Sequence, residues 1–334
     1  MKIGEIDLGE RPLFLAPMED VTDPSFRFIC KQFGADMVYT EFISSDGLIR
    51  DAKTSLKKLD IYENERPVGI QLYGHLLEPM VEAAGIAEAA NPDLIDINFG
   101  CPVRKIAARG AGSGMMNNVP LMVKITEAIV KAVKLPVTVK TRLGYDEHSK
   151  NIVDIAERLQ DVGIQAITIH GRTRSQLYKG MADWTLIGEV KNNSRMKIPV
   201  IGNGDVTDPV QTRYLFDHYG VDGVMIARAT YGRPWIFKEI KHYLSTGQLM
   251  TPLTLQEKAE LAKTHLLKSI EVKGIPRGIL EMRRHLTNYF KNLSHFKETR
   301  LKLVTSLDVN ELLQIINWIP EHWQEIPDME ISRE

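Results

Sequence analysis

The sequence predicts an α/β protein, a TIM (β/α)8 barrel followed by a small all-α helical bundle. Eight short apolar or β-branched segments recur, each bounded by turn residues and followed by a stretch of helical periodicity. No glycine fingerprint follows the first of them, which disfavours a doubly wound open sheet. Beyond about residue 245 the strand-like runs stop and only helical patterns continue.

The predicted strands are LFLAP (13 to 17), DMVYTE (36 to 41), VGIQLY (68 to 73), LIDINF (94 to 99), PVTVKTR (136 to 142), AITIHG (166 to 171), PVIGNGD (199 to 205) and DGVMIAR (222 to 228). Most read as buried on both faces, as parallel strands are. Asp23-Pro24, Glu78-Pro79 and Asp208-Pro209 mark helix starts, because proline's fixed φ suits a first helical turn, and Asn118-Val119-Pro120 is a looser case. MVEAAGIAEAA, KITEAIVKAV and IVDIAERLQDV carry apolar residues three and four apart, a stripe to bury against the sheet. STGQLMTPLTL reads as a linker. It divides a barrel domain, 1 to 245, from a helical domain, 246 to 334, built from EKAELAKTHLLKSIEV, GILEMRRHLTNYFKNL, KETRLKLVTS and VNELLQIINWI.

The 334 residues suit a barrel of about 250 residues plus an appended unit. Hydrophobic residues at 43% and charged residues at 25% are close to globular averages and suggest neither wholesale disorder nor a membrane protein. The start MKIGEIDLGE has no apolar run or cleavage site, so a cytoplasmic protein is expected. Cys30 and Cys101 stand in unlike contexts, which argues against a disulfide framework, and no metal is expected. A net charge of −1 excludes indiscriminate coating of nucleic acid but leaves local clusters open.

In such a barrel the reacting groups stand where strands end. Those ends supply Pro17 and Met18, Glu41, Gln71, Asn98 with Cys101, Lys140 with Arg142, His170 with Arg172, Asn203-Gly204-Asp205, and Ala227-Arg228. The turn Gly100-Cys101-Pro102 holds a thiol over the barrel mouth, where it can give or take a proton. A buried cysteine is more often a small hydrophobe, and Cys30, inside a helix, is read so. Lys140 either neutralises a reduced ring or pairs with a carboxylate. The loops after strands seven and eight are the usual phosphate sites of barrels, although a glycine-asparagine turn alone signals only a tight connection. GAGSG (110 to 114) fails as a dinucleotide loop for want of a preceding strand and is read as a mobile substrate loop. Walker, HExxH and GxSxG motifs are absent.

LAPMEDVTDPSFR, GIQLYG, DINFGCPVRK with GAGSG, VTVKTRLG, ITIHGRTR, VIGNGDVTD and MIARATYGRPWIF together resemble the tRNA-dihydrouridine synthases, the bacterial B-type subgroup in particular, over nearly the whole chain. The resemblance implies a noncovalent FMN on the barrel top, reduced by NADPH or NADH and oxidised as it reduces the 5,6 double bond of a tRNA uridine. It implies that Pro17, Met18 and Glu19 border the flavin and that Gln71 and Lys140 bond its polar edge. His170, Asn203, Gly204, Asp205, Ala227 and Arg228 would hold the ribityl phosphate. Asn98, Arg142 and Arg172 would face the uracil, and Cys101 would protonate C5 after hydride reaches C6. Glu19 and Ala227 depart from the family, which usually has a small residue and a glycine there. An alanine at 227 is strained if the backbone needs a positive φ.

Extruding a stacked uridine costs a few kcal/mol, so binding energy from surrounding RNA is needed. Between Lys263 and Lys302 ten Lys and Arg, among them Arg283 and Arg284, stand against three Glu. Such a run is commonly a solvated helix face; attached to a uracil-reducing barrel, it is read as a tRNA phosphate contact. A monomer is expected. Two rival readings stay open: a flavin barrel acting on a small pyrimidine, as in dihydroorotate dehydrogenase, and an RNA-binding protein without catalysis.

Overall fold

The computed structural model describes residues 1–324. The chain divides into two compact units, Met1–Ala227 and Arg228 onward.

The first unit is a parallel barrel. Its strands are β1 (Leu13–Leu15), β2 (Val38–Tyr39), β3 (Val68–Tyr73), β4 (Leu94–Asn98), β5 (Val137–Arg142), β6 (Ala166–His170), β7 (Val200–Asn203) and β8 (Gly223–Ile226). Each pairs in parallel with the next from β2 to β8, and β8 returns to β1. Closure comes from a parallel bridge between Phe14 and Met37, with the Leu15 N–H donating to the Met37 carbonyl at 2.9 Å. Val68, Ile70 and Leu72 of β3 are fully buried, and each such side chain contributes about 1.5–3 kcal/mol.

The predicted second strand is shorter than its apolar run. The Gln71 N–H is taken by the Thr40 side-chain oxygen at 3.2 Å, where a longer ladder would offer a carbonyl. The chain then pairs again with β3 through Ile43–Ser44. An antiparallel hairpin, Lys2–Ile3 with Ile6–Asp7, closes the end where the strands begin. Its Ile3 and Leu8 join one buried cluster with Phe14, Tyr39, Leu94, Ala166, Ile201 and Met225. Gly4, at φ +56°, lets the turn lie against Pro136, whose Cγ a Cβ would meet at 2.8 Å.

Asp23, Asp208 and Asn118 cap their helices as the sequence implies, each side chain accepting from main-chain N–H groups of the first turn. Glu78 does not. The helix Leu77–Ala89 starts before it, so its charge lies in the first turn, where it still complements the helix dipole.

The second unit contains helices Ile236–Thr246, Leu255–Lys273, Arg277–Tyr289, Lys297–Thr305 and Val309–His322. The segment STGQLMTPLTL, expected to separate the domains, thus joins two helices of one unit. Thr254 and Glu257 form a reciprocal capping box on the second of these helices. Ala262, Leu266, Ile279, Leu286, Leu303, Leu312 and Ile316 are fully buried. Tyr289 and Phe290 lie in the core, with the Tyr289 hydroxyl 3.2 Å from His265 Nδ1.

Candidate active site

Strand register brings the polar residues to one end of the barrel. Gln71 stands opposite Asp96, Asn98 opposite Lys140, and Arg142 opposite His170, which in turn faces Asn203. Gln71, Asn98, Cys101, Arg142, His170 and Asn203 are all at most 8% exposed. Buried polar groups must find partners; Gln71, Asn98 and Cys101 find one another, and Arg142 and Asn203 reach main-chain carbonyls.

A directed chain of hydrogen bonds leads from the barrel interior to Cys101. The Gly100 and Cys101 N–H groups donate to Asn98 Oδ1 at 2.9 and 2.8 Å. Asn98 Nδ2 donates to Gln71 Oε1 at 2.8 Å, and Gln71 Nε2 donates to Asp96 Oδ2 at 2.6 Å. Thr138 donates to the other Asp96 oxygen at 2.5 Å. Burial raises the Asp96 carboxyl to about 6.

The loop bearing the thiol rests on GAGSG, whose last three residues open a 3-10 turn, Gly112–Asn117, that is buried from Gly112 to Met116. Ser113 donates through both its N–H, at 3.0 Å, and its hydroxyl, at 2.8 Å, to the Cys101 carbonyl. The glycines permit this contact: a Cβ on Gly112 would lie 2.8 Å from the Cys101 oxygen, and one on Gly114 would overlap the Ala107 carbonyl. Burial pushes the Cys101 thiol above its ordinary value, so it carries its proton at neutral pH.

Lys140 donates to Asn203 Oδ1 at 3.2 Å, and Asn203 Nδ2 donates to the Met225 carbonyl at 2.8 Å. Burial and the neighbouring Arg142 push the Lys140 ammonium down to about 8. A cation so placed gains from any anionic or electron-rich partner. Beside it Gly204 has φ +119°, and a Cβ there would come within 2.7 Å of Ala182 and 3.0 Å of His170. Glycine is therefore required here twice over, by the backbone conformation and by the close packing of Ala182 and His170.

The arginines expected to face substrate are engaged elsewhere. Arg172, 2% exposed, grips Asp205 through Nη1–Oδ1 at 3.0 Å and Nη2–Oδ2 at 2.5 Å, and also donates to the Lys179 and Gly180 carbonyls. Asp205 further accepts from the Ala182 N–H at 2.8 Å. The pair braces the loop after β6 against the loop after β7. Arg142 donates to the carbonyls of Gly100 at 2.7 Å, Thr173 at 3.0 Å and Leu177 at 2.9 Å, so it ties the Cys101 loop to the loop after β6.

Pro17 and Met18 are half-buried at the end of β1. Glu19 is exposed and paired with Lys58, and lies with Asp20 and Glu41 in a group of three carboxylates. Burial raises the Glu41 carboxyl. Ala227 does not take a positive φ, so its methyl adds no backbone strain. Arg228 opens the second unit, exposed, in the turn Arg228–Thr230. In that unit Arg284 lies over the Tyr231 ring at 5.4 Å, and Arg283 reaches the Thr305 carbonyl at 3.5 Å.

The dihydrouridine synthase (Dus) family pattern matches residues 14–318 of the chain. A probable tRNA-dihydrouridine synthase of Rickettsia conorii is 39% identical over 301 residues, 90% of each chain. A tRNA-dihydrouridine synthase B of Proteus vulgaris is 38% identical over 317 residues, covering 95% of this chain and 97% of that one. Among solved structures, a morphinone reductase superposes with a TM-score of 0.53 at 13% identity over 76% of this chain and 91% of its own. An old yellow enzyme homologue from Zymomonas mobilis gives 0.52 at 14%, over 76% and 93%. These last two share the barrel fold. On the family match and the near full-length relatives, the chain belongs to the dihydrouridine synthase family.

Proposed function

We infer that the chain reduces the 5,6 double bond of a uridine in tRNA, with FMN as its flavin and NADPH or NADH as the source of electrons. The observation that carries this reading is Cys101, a protonated thiol held at the barrel mouth by a directed hydrogen-bond chain. Full-length relatives named tRNA-dihydrouridine synthase supply the substrate.

The residues present fit a flavin mononucleotide. Lys140 is a half-buried cation whose hydrogen-bond acceptor among the described residues is the neutral Asn203 oxygen, and the Gly204 loop leaves no room for a Cβ. Lys140 and Gln71 would hold the polar edge of the ring, with Pro17 and Met18 at its border, and the Gly204 loop with His170 would hold the phosphate. Bound FMN supplies hydride to C6 of the uracil. Cys101 gives the proton to C5, and Asn98 fixes the loop from which it does so. A thiol suits this task because it is neutral before transfer and a stable thiolate after it. Arg142, Arg172 and Asp205 position the loops around the uracil.

The enzyme works as a monomer in the cytoplasm, where tRNA resides; among the described residues no helix is long and apolar enough to cross a membrane. The test is anaerobic. Protein reduced with NADPH is mixed with tRNA lacking dihydrouridine and the flavin absorbance is followed. Reoxidation with dihydrouridine appearing in the RNA is the expected result. Reduction without response to tRNA would make a small pyrimidine the acceptor.

A further inference from the structure

Glu41, two residues beyond β2, takes no part in the reduction described above, yet it is 7% exposed. Its Oε1 accepts the Asp20 N–H at 2.6 Å. A buried carboxylate is costly unless donors meet its charge, and an ionised acceptor makes the stronger kind of hydrogen bond. The donor lies on the loop between β1 and the helix Pro24–Gln32, the loop that begins with Pro17 and Met18.

Asp20 alone of residues 16 to 23 has a positive φ, +56°. A residue with a Cβ enters that region rarely and stays where its surroundings hold it. The rest of the turn is closed on itself. The Met18 N–H donates to Thr22 Oγ1 at 2.9 Å, and the Met18 carbonyl accepts from the Thr22 hydroxyl at 3.1 Å and the Thr22 N–H at 3.0 Å. Thr22 is fully buried, and its own carbonyl accepts from Arg27 at 2.9 Å, which in turn pairs with the buried Glu65. Met18 and Thr22 are thus fixed to each other and to the helix. The chain between them turns at Asp20, and the group that grips it there is Glu41.

We propose that Glu41 is a positioning residue for the flavin: by holding Asp20 in its left-handed conformation it keeps Met18 at the border of the ring. The proposal rests on the FMN reading above and adds to it a side chain that acts through the loop. Without the carboxylate, residue 20 returns to a negative φ, the chain changes direction at that point, and the bonds between Met18 and Thr22 cannot all form. Glu19 does not substitute, because its bond to Lys58 joins two side chains and leaves the backbone at Asp20 free to rotate.

The experiment follows FMN leaving the FMN-loaded full chain on serial dilution, read as the rise in flavin fluorescence, with urea unfolding alongside. For Glu41→Ala the expected Kd is about tenfold above wild type, the size of a left-handed residue left unsupported. Glu41→Gln, whose carbonyl still accepts, should stay within about threefold. Asp20→Gly placed on Glu41→Ala should restore most of the affinity, because glycine holds a positive φ unaided. A general loss of stability would not be repaired in this way. Asp20 is exposed, so Asp20→Val tests the same point with Glu41 intact and the core untouched. A β-branched residue resists a positive φ, and the Kd should again rise. Wild-type affinity in Glu41→Ala or in Asp20→Val overturns the proposal. So does a loss in Glu41→Ala that glycine fails to repair, which would give Glu41 a direct contact with the flavin. Wild-type protein that retains no FMN overturns the flavin reading itself, whereas intact wild-type binding with indifferent variants overturns the positioning role alone.

Discussion

Gln71 donates its amide N–H to Asp96 Oδ2 at 2.6 Å, and this bond sets the sense of the hydrogen-bond chain that runs from Asp96 through Asn98 to the Cys101 loop. Asp96 only accepts, so Gln71 must turn its oxygen to Asn98, and Asn98 must turn its own oxygen to the Gly100 and Cys101 N–H groups. An asparagine at 96 offers one acceptor where the carboxylate offers two, so it cannot accept from both Gln71 and Thr138.

Asp96→Asn is therefore expected to disturb turnover more than stability. Burial raises that carboxyl to about 6, so removing its charge relieves a desolvation cost, which offsets the loss of about 1–3 kcal/mol from the missing acceptor. Urea unfolding at pH 7 should stay within about 1 kcal/mol of wild type, whereas dihydrouridine formation should fall at least roughly tenfold, as expected for a misplaced proton donor. Full turnover in the variant would show that the chain does not position Cys101.

For Cys101→Ala the expected outcome is loss of about 10²–10⁴ in RNA turnover, with NADPH still bleaching the flavin. The pH profile has a defined sign. The acid form is required, and burial raises the thiol, so the rate holds through neutrality and falls only on the alkaline side of the ordinary thiol range. A descending limb below that range in stopped-flow reoxidation would remove the assignment.

The barrel was legible because every strand carries its own apolar run and three helix starts, at Asp23, Asn118 and Asp208, carry a capping residue followed by a proline. The strand-end residues Gln71, Asn98, Lys140, His170 and Asn203 followed from that placement, since alternation puts them on the inner face. What spacing did not reveal was occupancy. Arg172 and Asp205 are 33 residues apart and Arg142 meets Leu177 across 35, so only the fold shows these side chains bracing loops. Asp96 was legible in principle, two residues before Asn98 on the same strand face, yet a lone acid in an apolar run gives no sign of its partner. GAGSG was read as a substrate loop for want of a preceding strand; the fold shows that its glycines allow close packing against the Cys101 and Ala107 carbonyls.

Arg172→Lys tests the brace. An ammonium is a single point donor and cannot reach both Asp205 oxygens together with the Lys179 and Gly180 carbonyls. Asp205 is 27% exposed on its side chain, so the loss should be smaller than for a fully buried pair, about 1–3 kcal/mol in urea unfolding. The loop it holds should also loosen, giving faster tryptic cleavage after Lys179. Wild-type cleavage and stability together would return Arg172 to a direct role at the substrate.

Arg283 and Arg284 test the helical unit. Of the ten cations between Lys263 and Lys302, Arg283, Arg284, Lys291, Lys297, Arg300 and Lys302 make no ion pair among the described residues, whereas Lys263, Lys268, Lys273 and Arg277 are paired with glutamates. Unpaired charge of one sign on a helical surface attracts phosphate, and each neutralised phosphate adds roughly 0.7–0.9 to the salt slope. The double variant Arg283→Gln, Arg284→Gln should bind tRNA more weakly at low salt and lower the slope by about one to two, with the flavin spectrum unaltered. The effect should converge on wild type as salt rises, because screening removes the same contacts that the substitutions do. A slope identical to wild type would mean that these arginines only solvate their helix, and that tRNA is held by the basic loops of the barrel unit.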